Sequence, residues 1–275
     1  MSRVTPLHRD DEQSVPSARW RNLLSIAHGY GGYAIGFASL FLIWHIAAVH
    51  VVNSALFPPP GQVLRKAGEL IWSGVLIEHI AVSLRRIMIG FSLGSLAGIP
   101  IGLAMGSFPA IRKVLEPYTE FFRFIPAVAM ITVAVIWFGI GEESKIFLII
   151  YTTIFIVILN TAAGVSAIAK NKIRAARSLG AAPFQVFRYV ALPATVPYIL
   201  TGMRLAMANS FVTIVAAELV AANQGLGKML WDSRLYMLVD DIFVALVSLG
   251  LLGFVIDRLF RWAIFRFAGR YSPVA

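Results

Sequence analysis

Four stretches of this sequence contain no Asp, Glu, Lys or Arg at all: Asn22 to Leu64, Ile87 to Ile111, Phe124 to Gly141 and Ile146 to Ala169. A bilayer core takes about 20 apolar residues per helix, so each stretch has room for a membrane span. Two more apolar stretches, near 194–220 and 242–262, are interrupted only by Arg204, Glu218, Asp257, Arg258 and Arg261. The pattern predicts an all-α polytopic membrane protein with six transmembrane helices, near 34–52, 80–107, 121–140, 146–166, 194–220 and 242–262. With 58% hydrophobic and 14% charged residues, the chain lies far from soluble proteins, which are roughly half apolar and a quarter charged. A water-soluble globule is excluded.

The formal charge of +10 is explained by topology rather than by nucleic acid. An N-terminus placed inside puts 16 of the 24 Lys and Arg residues in cytoplasmic segments, including Arg112, Lys113 and Arg123 between the second and third spans. That asymmetry predicts an N-in, C-in orientation. The first apolar stretch follows Arg19 and Arg21 as a secretory signal would, but its length and the lack of an A-x-A-like cleavage site favour a retained anchor helix. Phe57-Pro58-Pro59-Pro60-Gly61 is expected to be extended and to lead into a short amphipathic helix, Val63 to Trp72, capping the outer face. Without cysteine the chain has no disulfide and no thiolate chemistry.

In the second span Gly90, Gly94, Gly98, Gly102 and Gly106 recur every fourth residue around Pro100. Such a ridge admits close approach of another helix backbone; it serves either static packing or a sliding surface. Between the fourth and fifth spans lies a basic segment, 166–193, with Lys170, Lys172, Arg174, Arg177 and Arg188 and no acid. Ile173, Ala176 and Leu179 fall on one helical face, Gly180 is placed to end that helix, and Pro183 starts another that carries Phe184 and Phe187. Leu192-Pro193 is expected to stop the second helix. Two short amphipathic helices at a sharp angle form a knob with an apolar face.

The chain has no G-x-x-x-x-G-K-[ST] loop to cradle nucleotide phosphates. Its lone glycine cluster, Gly29, Gly31 and Gly32, lacks the third glycine of a dinucleotide fingerprint, and His45 and His50 point about 140° apart on a helix, a poor pair for a metal. No catalytic triad, carboxylate pair or H-E-x-x-H site is present, so the chain itself is expected to be non-catalytic.

The run Arg174-Ala175-Ala176-Arg177-Ser178-Leu179-Gly180-Ala181, followed by Leu192-Pro193, resembles the E-A-A…G…L-P loop of permease subunits of ATP-binding-cassette (ABC) importers. Phe57-Pro58-Pro59-Pro60, Gly98-Ile99-Pro100-Ile101-Gly102, Ile136-Trp137-Phe138-Gly139-Ile140-Gly141, and Ala216-Ala217-Glu218 with Gly225-Leu226-Gly227 resemble its nitrate, sulfonate and taurine branch. The resemblance implies an importer-type permease domain over 34–265 between cytoplasmic tails, 1–33 and 266–275, in a bacterial inner membrane. It further implies a dimer with a second copy, and two ATPase subunits that bind ATP and Mg²⁺ and dock on the 166–193 loop. A separate extracytoplasmic protein would deliver the substrate, an aliphatic sulfonate or taurine first and nitrate second, with bicarbonate or a thiamine precursor behind. Arg174 stands where the motif has Glu, so any salt bridge made by that Glu is not carried over. The alternative is a gradient-driven transporter or channel without an ATPase, against which stand the absence of an inverted repeat and of paired broken helices.

In the fifth span Gly202, Ala206, Asn209, Thr213 and Ala216 share one face, and Arg204 and Glu218 share the opposite one. The two charges lie about 21 Å apart along the helix and cannot pair with each other. Arg204 is read either as an anion-attracting charge or as a structural one, and Glu218 as structural or gate-latching, each needing its own partner. Asn209, Ser210 and Thr213, with Thr152, Thr153 and Asn160 of the fourth span, are neutral hydrogen-bonding groups suited to a passing anion or, equally, to holding helices together.

Overall fold

A computed structural model of the chain describes residue 32, residues 35–52 and residues 55–268. Among the described residues there are helices and turns and no strand. The expected tails, apart from Gly32 and the last residues of the final helix, lie outside them. The chain divides into two units, Met1–Pro60 and Gly61–Ala275.

In the first unit an apolar helix, α1 (Ile35–His50), runs into a π-helical turn, Ala47–Val51. Trp44 Nε1 donates to the Pro58 carbonyl at 3.1 Å, which ties the proline run back to the helix. Phe57 lies in a bend, and Pro58 and Pro59 carry no regular structure. Pro60 and Gly61, expected in the same extended run, already belong to α2 (Pro60–Trp72), because proline suits the first helical position, where its missing N–H has no partner to lose.

The second unit is a helical bundle. Two of its four long members are α3 (Val75–Ser107) and α6 (Glu142–Ser166), with α4 (Pro109–Arg123) and α5 (Ala127–Phe138) between them. After α7 (Lys170–Ser178) come α8 (Pro183–Val186), a π-helical segment Phe187–Ala191 and α9 (Leu192–Ala221). Last are α10 (Leu226–Leu235) and α11 (Val239–Ala268). Among the described residues four helices are long and apolar enough to cross a membrane, or five if the bent pair α4 and α5 counts as one span.

The glycine ridge of α3 lies against α6. A Cβ added at Gly90, Gly94, Gly98, Gly102 or Gly106 would stand within 3.0 Å of the Cβ of Ile149, Thr153, Val157, Thr161 or Val165 respectively. Both series climb in steps of four in the same direction, so α3 and α6 run parallel. On its other side α6 meets α9 antiparallel: Asn160 covers Gly202, and Tyr198 covers Gly164. Helix α6 is therefore the centre of the bundle. Parallel α3 and α6 require the chain between them to travel back along the bundle, and α4 with α5 makes that return.

The third expected span, 121–140, needs correction. Helices α4 and α5 are bent by 98° at a break over 124–126. Pro126 has no N–H to donate and disfavours helical backbone at Ile125. At the break the Ile125 N–H bonds the Phe122 carbonyl at 3.1 Å, and the Tyr151 hydroxyl of α6 donates toward the carbonyls of Phe122 and Ile125, at 2.5 and 3.2 Å. A second correction concerns Leu192-Pro193, which stops nothing. Pro183–Val220 forms one helical run, because the π-helical turn just before Pro193 relieves the clash between a helical proline ring and the carbonyl four residues back.

The ridge gives a measurable contrast. At Gly102 the added Cβ would also stand 2.7 Å from the Ile158 carbonyl oxygen, whereas at Gly250 of α11 it meets nothing within 4 Å. We expect Gly102→Ala to cost about 1–3 kcal/mol through overpacking, and Gly250→Ala to be neutral or stabilising through helix propensity. Thermal denaturation of the purified chain in detergent measures both; equal midpoints would contradict the packing role of the ridge.

Candidate functional site

The basic segment folds as two short helices around Gly180. The chain leaves α7 through a Schellman turn: Gly180 N–H bonds the Arg177 carbonyl at 2.9 Å and Ala181 N–H bonds the Ala176 carbonyl at 3.1 Å. Gly180 adopts φ +80°, a left-handed conformation in which a Cβ is strained. Past the turn, Ala182 N–H donates to Gln185 Oε1 at 2.8 Å and Pro183 opens α8. Ile173 and Ala176 are half-buried, Arg174 and Ala175 are exposed, and Leu179 at the tip is 89% exposed. Phe184 also points outward, while Phe187, Leu192 and Pro193 are half-buried, and the fully buried side chains here are Val186 and Ala191. The result is an apolar tip of Leu179 and Phe184 among Arg174, Arg177 and Arg188.

At the opposite end of the bundle Glu218 is completely buried. Arg86 Nη1 of α3 donates to Glu218 Oε1 at 2.7 Å, and the Ser83 hydroxyl lies 2.9 Å from both carboxylate oxygens. Gly227 N–H donates to Oε2 at 2.9 Å. Arg86, 2% exposed, also bonds Glu142 at the start of α6 through Nε (2.7 Å) and Nη2, and the Gln224 carbonyl at 2.6 Å. Leu226 N–H closes the circle onto the Ser83 oxygen at 2.8 Å. Gly225 and Gly227 are required here because a Cβ on either would run into the Glu218 side chain. The Ala-Ala-Glu and Gly-Leu-Gly motifs are thus two halves of one contact. One arginine ties three long helices and the loop before α10 together, and sequence reasoning missed it because Arg86 sits at the edge of a charge-free stretch.

Arg204 has a different partner, Asp257 of α11, through Nε–Oδ1 (2.6 Å) and Nη2–Oδ2 (3.2 Å). Arg261 Nε adds a bond to Asp257 Oδ2 at 3.0 Å. An arginine held by two parallel bonds to a carboxylate is a strong structural pair.

The six neutral polar residues separate into two groups. Ser210 and Thr153 are fully buried and 3.3 Å apart in the α6–α9 contact. Asn160 bonds the Ile156 carbonyl of its own helix at 2.8 Å. Asn209, Thr213 and Thr152, by contrast, line one cavity of about 460 Å³ in the crook of the α4–α5 bend, together with Arg123, Pro126 and Tyr151. There the Thr213 hydroxyl lies 3.2 Å from Asn209 Oδ1 and 3.3 Å from Thr152 Oγ1. Among the described residues no group of His, Asp and Glu is arranged to hold a metal.

Residues 94–269 match the family described as binding-protein-dependent transport system inner membrane component. The chain is 40% identical over 220 residues to the taurine transport system permease protein TauC of Escherichia coli, covering 78% of this chain and 80% of that protein. It is 32% identical over 235 residues to the nitrate import permease protein NrtB of Synechocystis, covering 82% and 84%. A chain of the MetNI methionine ABC transporter in an inward-facing conformation shares the fold, with a TM-score of 0.61 at 20% identity over 74% of this chain and 98% of that one. Family, relatives and helical architecture agree: the chain belongs to the binding-protein-dependent transport system inner membrane components and is an ABC importer permease of the inner membrane.

Proposed function

We propose that this permease crosses the membrane six times, N-in and C-in, with α1 and the α4–α5 pair joining the four long helices as spans. It pairs with a second copy, and two ATPase subunits, which carry the ATP and Mg²⁺, dock on residues 166–193. The observation that carries this reading is the tip at Leu179, Gly180 and Phe184, an apolar surface on a rigid turn at one end of the bundle. A lipid-facing patch needs no such turn; a joint that transmits motion does. The permease itself is non-catalytic and accepts its substrate from an extracytoplasmic binding protein.

The substrate is a small anion, an aliphatic sulfonate such as taurine first and nitrate second, on the strength of the relatives named for those substrates. Its route passes the cavity lined by Asn209, Thr213 and Thr152. Leucine at position 209 or 213 removes hydrogen-bonding groups and adds bulk in that wall. We expect Asn209→Leu and Thr213→Leu each to lower uptake of labelled taurine at least about tenfold, the loss of roughly 1.4 kcal/mol of transition-state stabilisation, while assembly with the ATPase is preserved. Normal uptake by both variants would remove this face from the pathway.

A further inference from the structure

The cavity in the crook of α4 and α5 has one property that the polar residues of the fifth span do not explain. Among the described residues its walls contain a single charged side chain, Arg123, the last residue of α4. Three buried or half-buried cations of the bundle are spoken for: Arg204 is held by Asp257, Arg86 by Glu218 and Glu142, and Lys145 Nζ by the carbonyls of Ile140 and Gly141 at 3.0 and 2.8 Å. The guanidinium of Arg123 instead lies over the Phe124 ring, 4.3 Å from its centroid, and only a solvent-exposed Glu120 comes within 3.9 Å. An exposed pair at that distance barely offsets the charge.

The opposite wall supplies donors. Asn209 Oδ1 accepts from Thr213, so the amide presents its N–H groups, and the walls contain no carboxylate. A positive charge facing hydrogen-bond donors, with no negative side chain between them, is complementary to an oxyanion and repels a cation.

We propose that Arg123 is the anion-selecting residue of this permease, forming with the Asn209 amide, which Thr213 orients, a transient subsite for the charged head of a small oxyanion, sulfonate or nitrate in class. The proposal rests on the reading of this cavity as part of the pathway and adds to it the group that distinguishes charge. The α4–α5 bend acquires a purpose: it brings the last residue of α4 into the same cavity as the polar face of α9.

The chain's lack of cysteine allows a test that needs no knowledge of the natural substrate. A single thiol placed in the cavity by Ala216→Cys is exposed, in membranes containing the intact transporter, to two methanethiosulfonates, one bearing a sulfonate and one a trimethylammonium group. Each rate, followed by the mass of this chain, is divided by the reagent's rate with a free thiol. The anion-to-cation ratio is expected to fall about tenfold on adding Arg123→Gln, the effect of one unit charge on two oppositely charged probes at close range. Arg123→Lys should keep the ratio. Lys113→Gln, which removes a charge from the same helix outside the cavity, should leave it unchanged. Asn209→Asp, which places a negative charge in the opposite wall, should lower the ratio as Arg123→Gln does and serves if that variant fails to fold. Reaction with both reagents at an unaltered ratio in Arg123→Gln or Asn209→Asp would overturn the subsite and leave the pathway standing. An equal fall in Lys113→Gln would reduce the effect to general surface potential and also overturn it. Failure of both reagents to reach the thiol would instead overturn the pathway reading.

Discussion

Replacing Arg86 by methionine is expected to lower the thermal midpoint of the purified permease by on the order of 10 °C. Arg86 supplies the one cation bonded to the fully buried Glu218. Methionine fills comparable space but leaves that carboxylate with only the Ser83 hydroxyl and the Gly227 N–H. Breaking a buried pair by removing one partner costs about 3–5 kcal/mol, because the remaining charge has lost its compensation. Glu142 loses the same partner but is less buried and keeps Arg85 at 3.3 Å. The double variant Arg86→Met/Glu218→Gln should recover much of the loss, since the second change removes the stranded charge. A single variant as stable as the wild type, or a double variant no better than the single, would show that this contact does not hold the bundle together.

Gly180→Val is expected to leave the transporter assembled but uncoupled, with substrate-stimulated ATP hydrolysis and uptake both reduced more than about tenfold, an energetic change above 1.4 kcal/mol. The cause is conformational. The residue sits at φ +80°, and a Cβ built there meets no atom within 4 Å, so valine meets strain and not a clash. A left-handed conformation costs a non-glycine residue about 1–3 kcal/mol, most for a β-branched one. The turn would open and displace Leu179 and Phe184 from their common tip. Asparagine tolerates this conformation better, so Gly180→Asn should retain more coupling than Gly180→Val. Because Arg174 stands where related motifs carry Glu, coupling in the proposed complex is expected to depend on the turn and the apolar tip. Wild-type substrate-stimulated ATPase activity in a reconstituted Gly180→Val complex would sink the idea.

The legible parts of this protein were those with a local physical signature. Charge-free or charge-poor stretches marked the long helices, and glycine at position 180 marked the end of α7. The four-residue repeat in α3 marked a face of close approach, although not which helix would occupy it. The bend between α4 and α5 falls at the start of the apolar stretch 124–141, where hydropathy gives the same signal for a straight span and for half of a broken one; Arg123 and Pro126 were the hints. Helix α10 was missed because ten residues of mixed character carry no clear period. Long-range pairing was the least legible. Glu218 and Arg204 announced that they needed partners, yet Arg86 and Asp257 lie 132 and 53 residues away, and no local rule selects them.

The paired repeats of α3 and α6 restrict how this molecule can move. Glycines spaced by four mesh with Ile149, Thr153, Val157, Thr161 and Val165, also spaced by four, like two racks with the same tooth pitch. Intermediate positions force side chains into backbone, so the next allowed setting is a full step away, about 6 Å along the axis. A slip of that size would also strip Arg86 from Glu142 at the start of α6. The two helices therefore travel as one lever, and the conformational cycle must draw its freedom from the joints at either side of it: the elbow at Pro126 and the widened π-helical turn ahead of Pro193.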